Sequence, residues 1–284
     1  MTAGTGQGAD GTACAAGALT ELLGTPGLRG LLAEPERALV ALDFDGTLSP
    51  IVADPEAARA HPAVLPALRR LAPRVGTVAI LTGRPAEVAV RNGGFAGAEG
   101  LDGLIVLGHY GAERWDASTG RVTADPPPPG VAAVRAELPG LLKDLAAPEG
   151  TWIEDKDRSL AVHTRRAADP DGALDLLRAP LAALAERTGL QVEPGHYVLE
   201  LRPPGVDKGA ALRGLARERR ARGVLYAGDD LGDLPAFRAA RGLGGCTVVV
   251  GDPPRPELEA LADTAVPSPA ELAQLLGGLA AALG

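Results

Sequence analysis

The chain has 284 residues, enough for one large domain or two modest ones, and with 46% hydrophobic but only 3% aromatic residues its core must be built from Ala, Val and Leu. Asp plus Glu number 36 against 28 Lys plus Arg, and the resulting net charge of −8 excludes a surface made to coat DNA or RNA. Two cysteines, Cys14 and Cys246, exclude a disulfide framework or a Cys-rich zinc site.

Residues 1–30 are rich in Gly, Ala and Thr and hold no basic residue before Arg29, so they read as a disordered tail rather than a secretory signal. No apolar run approaches the ~18 residues needed to span a bilayer. A soluble, cytoplasmic protein with no membrane partner is expected, and a monomer. The run Arg37–Asp43 is apolar and ends abruptly in acid and Gly, the pattern of a buried parallel strand opening into a loop. Gly76–Leu81, Gly103–Leu107, Gly223–Ala227 and Cys246–Val250 follow the same rule. Helical stretches lie between several of them, notably Pro85–Arg91, with Pro in the first turn, and Asp207–Arg222.

Strands alternating with helices predict an α/β fold with a doubly wound parallel sheet, whose ligands bind beyond the carboxyl ends of the strands. The middle of the chain reads differently. Asp125–Gly130 is a stiff Pro-rich linker, followed by a helix near Val131–Ala147, a hairpin over Thr151–Asp155 and Ser159–Thr164, a helix near Asp171–Arg187 and a second hairpin over Leu190–Glu193 and Tyr197–Arg202. Pro203-Pro204-Gly205 returns the chain to the parallel sheet. The expected organisation is a core over 31–113 and 204–284, interrupted by an α+β insert over 114–203.

The sharpest chemical signal is Asp43-Phe44-Asp45-Gly46-Thr47. Two carboxylates two residues apart at a strand end can face one pocket, one to attack and one to move protons, while Gly46 permits a tight turn. Thr82-Gly83-Arg84 ends the next strand just before a helix, where a hydroxyl and free backbone N–H groups can hold a phosphoryl oxygen, although a plain helix cap at Thr82 is the commoner use of such a residue. Lys is found only at Lys143, Lys156 and Lys208, in a chain that otherwise uses Arg. Lys208 begins a helix after the insert, placed to neutralise phosphate and an attacking carboxylate. Gly228-Asp229-Asp230-Leu231-Gly232-Asp233 adds three hard oxygen donors at another strand end, a set that suits Mg²⁺.

These four motifs, in this order and at strand or helix ends, resemble those of the haloacid dehalogenase (HAD) superfamily of phosphotransferases. Leu107–Glu113, Ile153–Lys156, Leu160–Arg165 and Glu200–Pro203 narrow the resemblance to trehalose-6-phosphate phosphatases, over the chain from about Ala38 to the last helix. The resemblance implies a Rossmann-like HAD core with the insert as a cap, and hydrolysis of trehalose 6-phosphate through an aspartyl-phosphate intermediate. It makes Asp43 the nucleophile and Asp45 the acid/base, with Thr82 and Lys208 on the phosphate and Mg²⁺ held by the Asp43 carboxylate, the Asp45 carbonyl and the Asp229 carboxylate. Arg84, Glu113, Glu154, Lys156, His163, Arg165 and Glu200 fall to substrate binding. A trehalose-phosphate synthase becomes a candidate partner. The family usually has Thr-Asp-Glu where this chain has Gly232-Asp233-Leu234, which changes the support around the metal position. Two other readings stand beside this one: the same chemistry on another sugar phosphate, and a non-catalytic sugar-phosphate sensor. Loss of Asp43, Asp45 or Lys208 would favour the sensor, and all three are present.

Overall fold

A computed structural model describes residues 7–52, 54–124, 126 and 128–284. The chain divides into two compact units, Met1–Ala124 with Asp207–Gly284, and Asp125–Val206. Asp125 and Pro127 of the expected Pro-rich linker lie outside the described residues.

The first unit begins with α1 (Gln7–Leu23) and α2 (Pro26–Ala33), followed by β1 (Ala38–Leu42), α3 (Val64–Leu71), β2 (Thr77–Leu81), α4 (Ala86–Gly93), β3 (Ile105–Gly108), β4 (Glu113–Asp116) and β5 (Arg121–Ala124). The second unit holds α5 (Pro129–Asp144), β6 (Trp152–Asp155), β7 (Leu160–His163), α6 (Pro170–Thr188), β8 (Gln191–Gly195) and β9 (Val198–Arg202). The chain then completes the first unit with α7 (Lys208–Glu218), β10 (Gly223–Gly228), α8 (Leu234–Gly242), β11 (Cys246–Val250), α9 (Pro256–Glu259), β12 (Thr264–Val266) and α10 (Pro269–Ala282).

The first unit's sheet has the order β12-β11-β10-β1-β2-β3-β4-β5, parallel from β12 to β3 and closed by the antiparallel hairpin β4–β5. This is the α/β class read from the sequence. The central strands are buried on both faces, which is why they read as continuous apolar runs. In β1, Ala38, Val40 and Leu42 face a core made with α1, α2, α3, α4 and α10, while Leu39 and Ala41 face one made with α7, α8 and α9.

Two expectations are corrected here. Residues 7–30 form two helices joined by a turn at Gly24-Thr25 rather than a disordered tail: Ala18, Leu22, Leu28 and Leu31 are buried in the first core, and the Thr25 hydroxyl caps α2 by accepting from the Leu28 N–H at 3.2 Å. Residues 114–124, expected in the insert, form β4 and β5 on the edge of the main sheet, with Trp115 buried against the same core.

The second unit is a four-stranded antiparallel sheet, β6-β7-β9-β8, with α5 and α6 over one face. Period-two alternation decides the faces: Ile153, Leu160, Val162, Leu199 and Leu201 pack on the helices, leaving Trp152, Glu154, His163 and Glu200 on the other face. Among the described residues, no helix is long and apolar enough to cross a membrane.

Candidate active site

The loop after β1 turns Asp43 and Asp45 one way while Phe44, fully buried, enters the core. The Asp43 N–H donates to the Ala227 carbonyl at 2.9 Å, tying this loop to β10. Gly46 is required twice over: its φ is +78°, and a Cβ there would lie 2.0 Å from Oδ2 of Asp229. The close approach of the first and last motifs therefore depends on the missing side chain.

Lys208 opens α7, whose N-cap is Asp207, accepting from the Ala210 N–H at 2.7 Å. Its ammonium is buried and donates to Oδ1 of Asp43 at 2.6 Å and Oδ1 of Asp233 at 2.7 Å. Asp233, fully buried, also accepts from the Tyr226 hydroxyl at 2.6 Å and from the N–H groups of Asp229 and Asp230 at 3.0 and 3.1 Å. Four hydrogen bonds thus converge on one carboxylate. Gly228 makes room for it, since a Cβ there would lie 2.4 Å from Cγ of Asp233.

Asp229 accepts from the Thr47 hydroxyl at 3.0 Å. Oxygens of Asp43, Asp229 and Asp233 come within 4.8 Å of one another. Burial raises the Asp43 carboxyl well above its usual range; Lys208 opposes this and the neighbouring acids add to it. Burial and Asp233 likewise push Asp229 up to about 7. Burial disfavours the Lys208 charge, but Asp233 and Asp43 outweigh it and raise the ammonium well above its normal value. We take Lys208 as charged and the acids as under-neutralised, because three carboxylates share one ammonium. A divalent cation fits that deficit: Asp43 and Asp229 offer oxygens to it, while Asp233 is already saturated with donors.

Asp45 is held differently. Arg84 grips it with two parallel hydrogen bonds, Nε to Oδ2 and Nη2 to Oδ1, each 2.6 Å. The metal ligand expected at Asp45 is its backbone carbonyl; its carboxylate is turned to Arg84, and the carboxylate that joins Asp43 and Asp229 in the converging group is that of Asp233. Thr82, buried, accepts from the Arg84 N–H at 3.1 Å, so it shapes the turn that carries that arginine. A cavity of about 710 Å3 opens here, bordered by Asp45, Arg84, Asp229, Asp230 and Arg255.

Of the residues expected on the substrate, Glu113 lies in the first unit, where its Oε2 accepts from the Ala86 N–H at 2.8 Å and anchors the start of α4. Four lie together on the polar sheet face of the second unit or beside it. Glu154 meets Nε2 of His163 at 2.8 Å, the His163 ring stacks on Trp152 at 4.5 Å, and Nζ of Lys156 donates to Glu200 at 3.0 Å. The Ser159 hydroxyl holds the other oxygen of Glu200 at 2.5 Å. Arg165 stands apart from this group, exposed, its guanidinium 3.5 Å from the His196 carbonyl. The sequence reading missed Tyr226, gave Thr47 no role of its own and took Asp233 only as one of three oxygen donors; the Asp229-to-Asp233 spacing, one turn at a helix start, was the available signal for its place in the network.

A family model described as Trehalose-phosphatase matches residues 41–268. A "Probable trehalose-phosphate phosphatase" of Sinorhizobium fredii is 33% identical over 270 residues, 92% of this chain and 93% of that protein. A "Trehalose-phosphate phosphatase" of Mycobacterium marinum is 36% identical over 256 residues, 87% of this chain, and the chain spans 62% of that relative's length. Among solved structures, trehalose-6-phosphate phosphatase of Aspergillus fumigatus superposes with a TM-score of 0.65 at 27% identity, covering 91% of this chain and 99% of that one.

Proposed function

The chain belongs to the trehalose-phosphatase family, and from that premise we propose that it is a magnesium-dependent phosphatase that hydrolyses trehalose 6-phosphate through an aspartyl-phosphate intermediate. The observation that carries the reading is the pairing of Asp43 with the buried Lys208 at 2.6 Å, beside the Asp229 carboxylate and in the same loop as Asp45.

A carboxylate attacking a phosphate dianion meets repulsion, which positive charge in the site must offset. Lys208 supplies part of it, and Mg²⁺, when bound at Asp43 and Asp229, supplies the rest as a Lewis acid. Asp43 attacks phosphorus in line as the phosphorus–sugar oxygen bond breaks. Asp45, in its protonated form, donates its proton to that leaving oxygen. A water then attacks the phosphoaspartate and gives one proton to Asp45; the Asp43–phosphorus bond breaks, phosphate leaves and both side chains return to their starting states. Arg84 occupies both oxygens of Asp45, so its release is the step that frees the acid/base, and the freed guanidinium is suited to a phosphate or sugar oxygen.

Recognition of a neutral disaccharide needs directional hydrogen bonds from several polar groups. Glu154, Lys156, His163 and Glu200 are a connected set of donors and acceptors on one sheet face and support that role. Phosphate release across a panel of sugar phosphates, with and without magnesium, tests the proposal. Faster turnover of another sugar phosphate would move the substrate, and no release from any would favour the sensor reading.

A further inference from the structure

At the far end of the first unit's sheet, where β1 and β10 begin, five arginines line a groove of about 510 Å3: Arg37, Arg213, Arg217, Arg220 and Arg222. The fold brings them together from three places. Arg213 and Arg217 are one turn apart on α7 and so share a face. Arg220 takes a left-handed φ of 51° just beyond that helix, which turns the chain toward β10. Arg37 and Arg222 immediately precede β1 and β10, and they are stitched together: the Arg222 N–H donates to the Arg37 carbonyl at 2.9 Å, and Nη2 of Arg37 to the Arg220 carbonyl at 3.1 Å.

Neutralising acids are scarce around this groove. Arg37 meets Glu34 at 3.2 Å, but Glu218, the acid on the same helix, is directed to Arg114 at 2.8 Å and Arg219 at 3.4 Å. Among the described residues, no carboxylate forms an ion pair with Arg213, Arg217, Arg220 or Arg222. Cations in the last turn of a helix complement its dipole, which accounts for Arg217 but not for Arg37 or Arg222 at the strand entrances. This concentration of positive charge stands in a chain of net charge −8.

We propose that the groove is a second anion site, separate from the phosphatase centre, and that it takes a small, multiply phosphorylated molecule. Guanidinium groups match phosphate oxygens in paired hydrogen bonds, and several around one cavity of this size call for several negative charges on a compact ligand. An acidic peptide spreads single charges along an extended chain and matches that density less well. Leu243, 42% exposed at the groove's edge, offers an apolar seat for an uncharged part of the ligand. The inference stands on these residues alone and holds whatever the substrate of the other site.

The test uses inorganic tripolyphosphate as probe, by calorimetry in magnesium-free buffer, on the full chain. Wild type binds it, and affinity falls steeply with salt. The exposed pair Arg213→Ala/Arg217→Ala weakens binding at least tenfold while turnover of 4-nitrophenyl phosphate is unchanged, and Arg213→Lys/Arg217→Lys lies between. If the alanine pair perturbs the fold, Arg222→Ala, with its backbone bond to Arg37 intact, gives the same comparison. The proposal is overturned if wild type does not bind, if the variants bind as tightly as wild type, or if a poly-glutamate peptide binds more tightly than tripolyphosphate.

Discussion

Arg84 and Asp45, both lining the cavity, form a bidentate pair with two hydrogen bonds of 2.6 Å, close in the chain to the Asp43–Lys208 pair. Asp45 must part from Arg84 before it can hand a proton to a leaving group. Asp45→Asn therefore lowers turnover of a sugar phosphate by roughly 10²- to 10⁴-fold, the usual worth of a positioned acid. The loss shrinks with 4-nitrophenyl phosphate, whose leaving group needs no proton. Equal losses on both substrates, measured side by side, would remove Asp45 from the acid's role.

Asp43→Asn abolishes turnover and leaves the protein at least as stable as wild type. The sign follows from the Asp43 carboxyl being raised by burial: its charged form is disfavoured in the folded state, and an amide of the same shape removes that charge. Lys208 keeps Asp233 as a partner. Thermal melts in metal-free buffer read the stability, and a large drop in Tm would show that the ion pair, rather than the burial, dominates.

The opposite result is expected at Asp233. Its four hydrogen-bond donors all require an acceptor, and an amide nitrogen would face some of them. Asp233→Asn should cost about 3 kcal/mol, the scale of breaking a buried charge network, while Tyr226→Phe costs about 1 kcal/mol. Urea titration of both variants checks the order, and a milder effect at Asp233 than at Tyr226 would contradict the hub.

The proposed magnesium requirement carries a pH signature. Asp229 is pushed up from 3.8 to about 7, so the folded, metal-free protein holds a proton there that the unfolded chain has lost. Stability from this group is greatest below about pH 4 and declines as pH rises through about 7. A cation needs the ionised carboxylate, so the Tm gain on adding magnesium grows over the same interval. Melts with magnesium or chelator at pH 5 and pH 8 test this; a larger gain at pH 5 would be the wrong sign.

Lys156 donates to Glu200 on the polar face of the second unit. Lys156→Ala should cut kcat/KM for trehalose 6-phosphate by roughly 10- to 100-fold, as for a lost charge-assisted hydrogen bond, with turnover of 4-nitrophenyl phosphate nearly unchanged. A parallel drop on both would assign Lys156 to support of the fold.

The strand-end motifs were legible because each is local: β1 running into Asp43 and Asp45, and β10 into Asp229, place their acids by chain direction alone. Asp233 was not, because its importance comes from Tyr226 and Lys208, which only the packing of α7 on β10 brings to it. Helix α1 was hidden by its Gly, Ala and Thr content, since its burial of Leu22 depends on partners in α10 and β12 far along the chain. Residues 114–124 were expected in the insert, and the β4–β5 hairpin offers no apolar run to correct that, because Glu113–Asp116 mixes charges with one buried aromatic, as an edge strand does. Arg84 was placed on the substrate, and its grip on Asp45 joins two loops that sequence spacing does not connect.

The insertion point bears on how the sheet assembles. Ala38 pairs with Gly223 across the whole second unit, so the strands that carry Asp43 and Asp229 meet only after that stretch is bridged. A segment with its own apolar centre around Val162, Leu177 and Leu199 can collapse early and shorten the effective loop, lowering the chain entropy lost when β1 and β10 close. Mutations that loosen that centre would then slow the arrival of the central strand pair, and with it the speed of refolding.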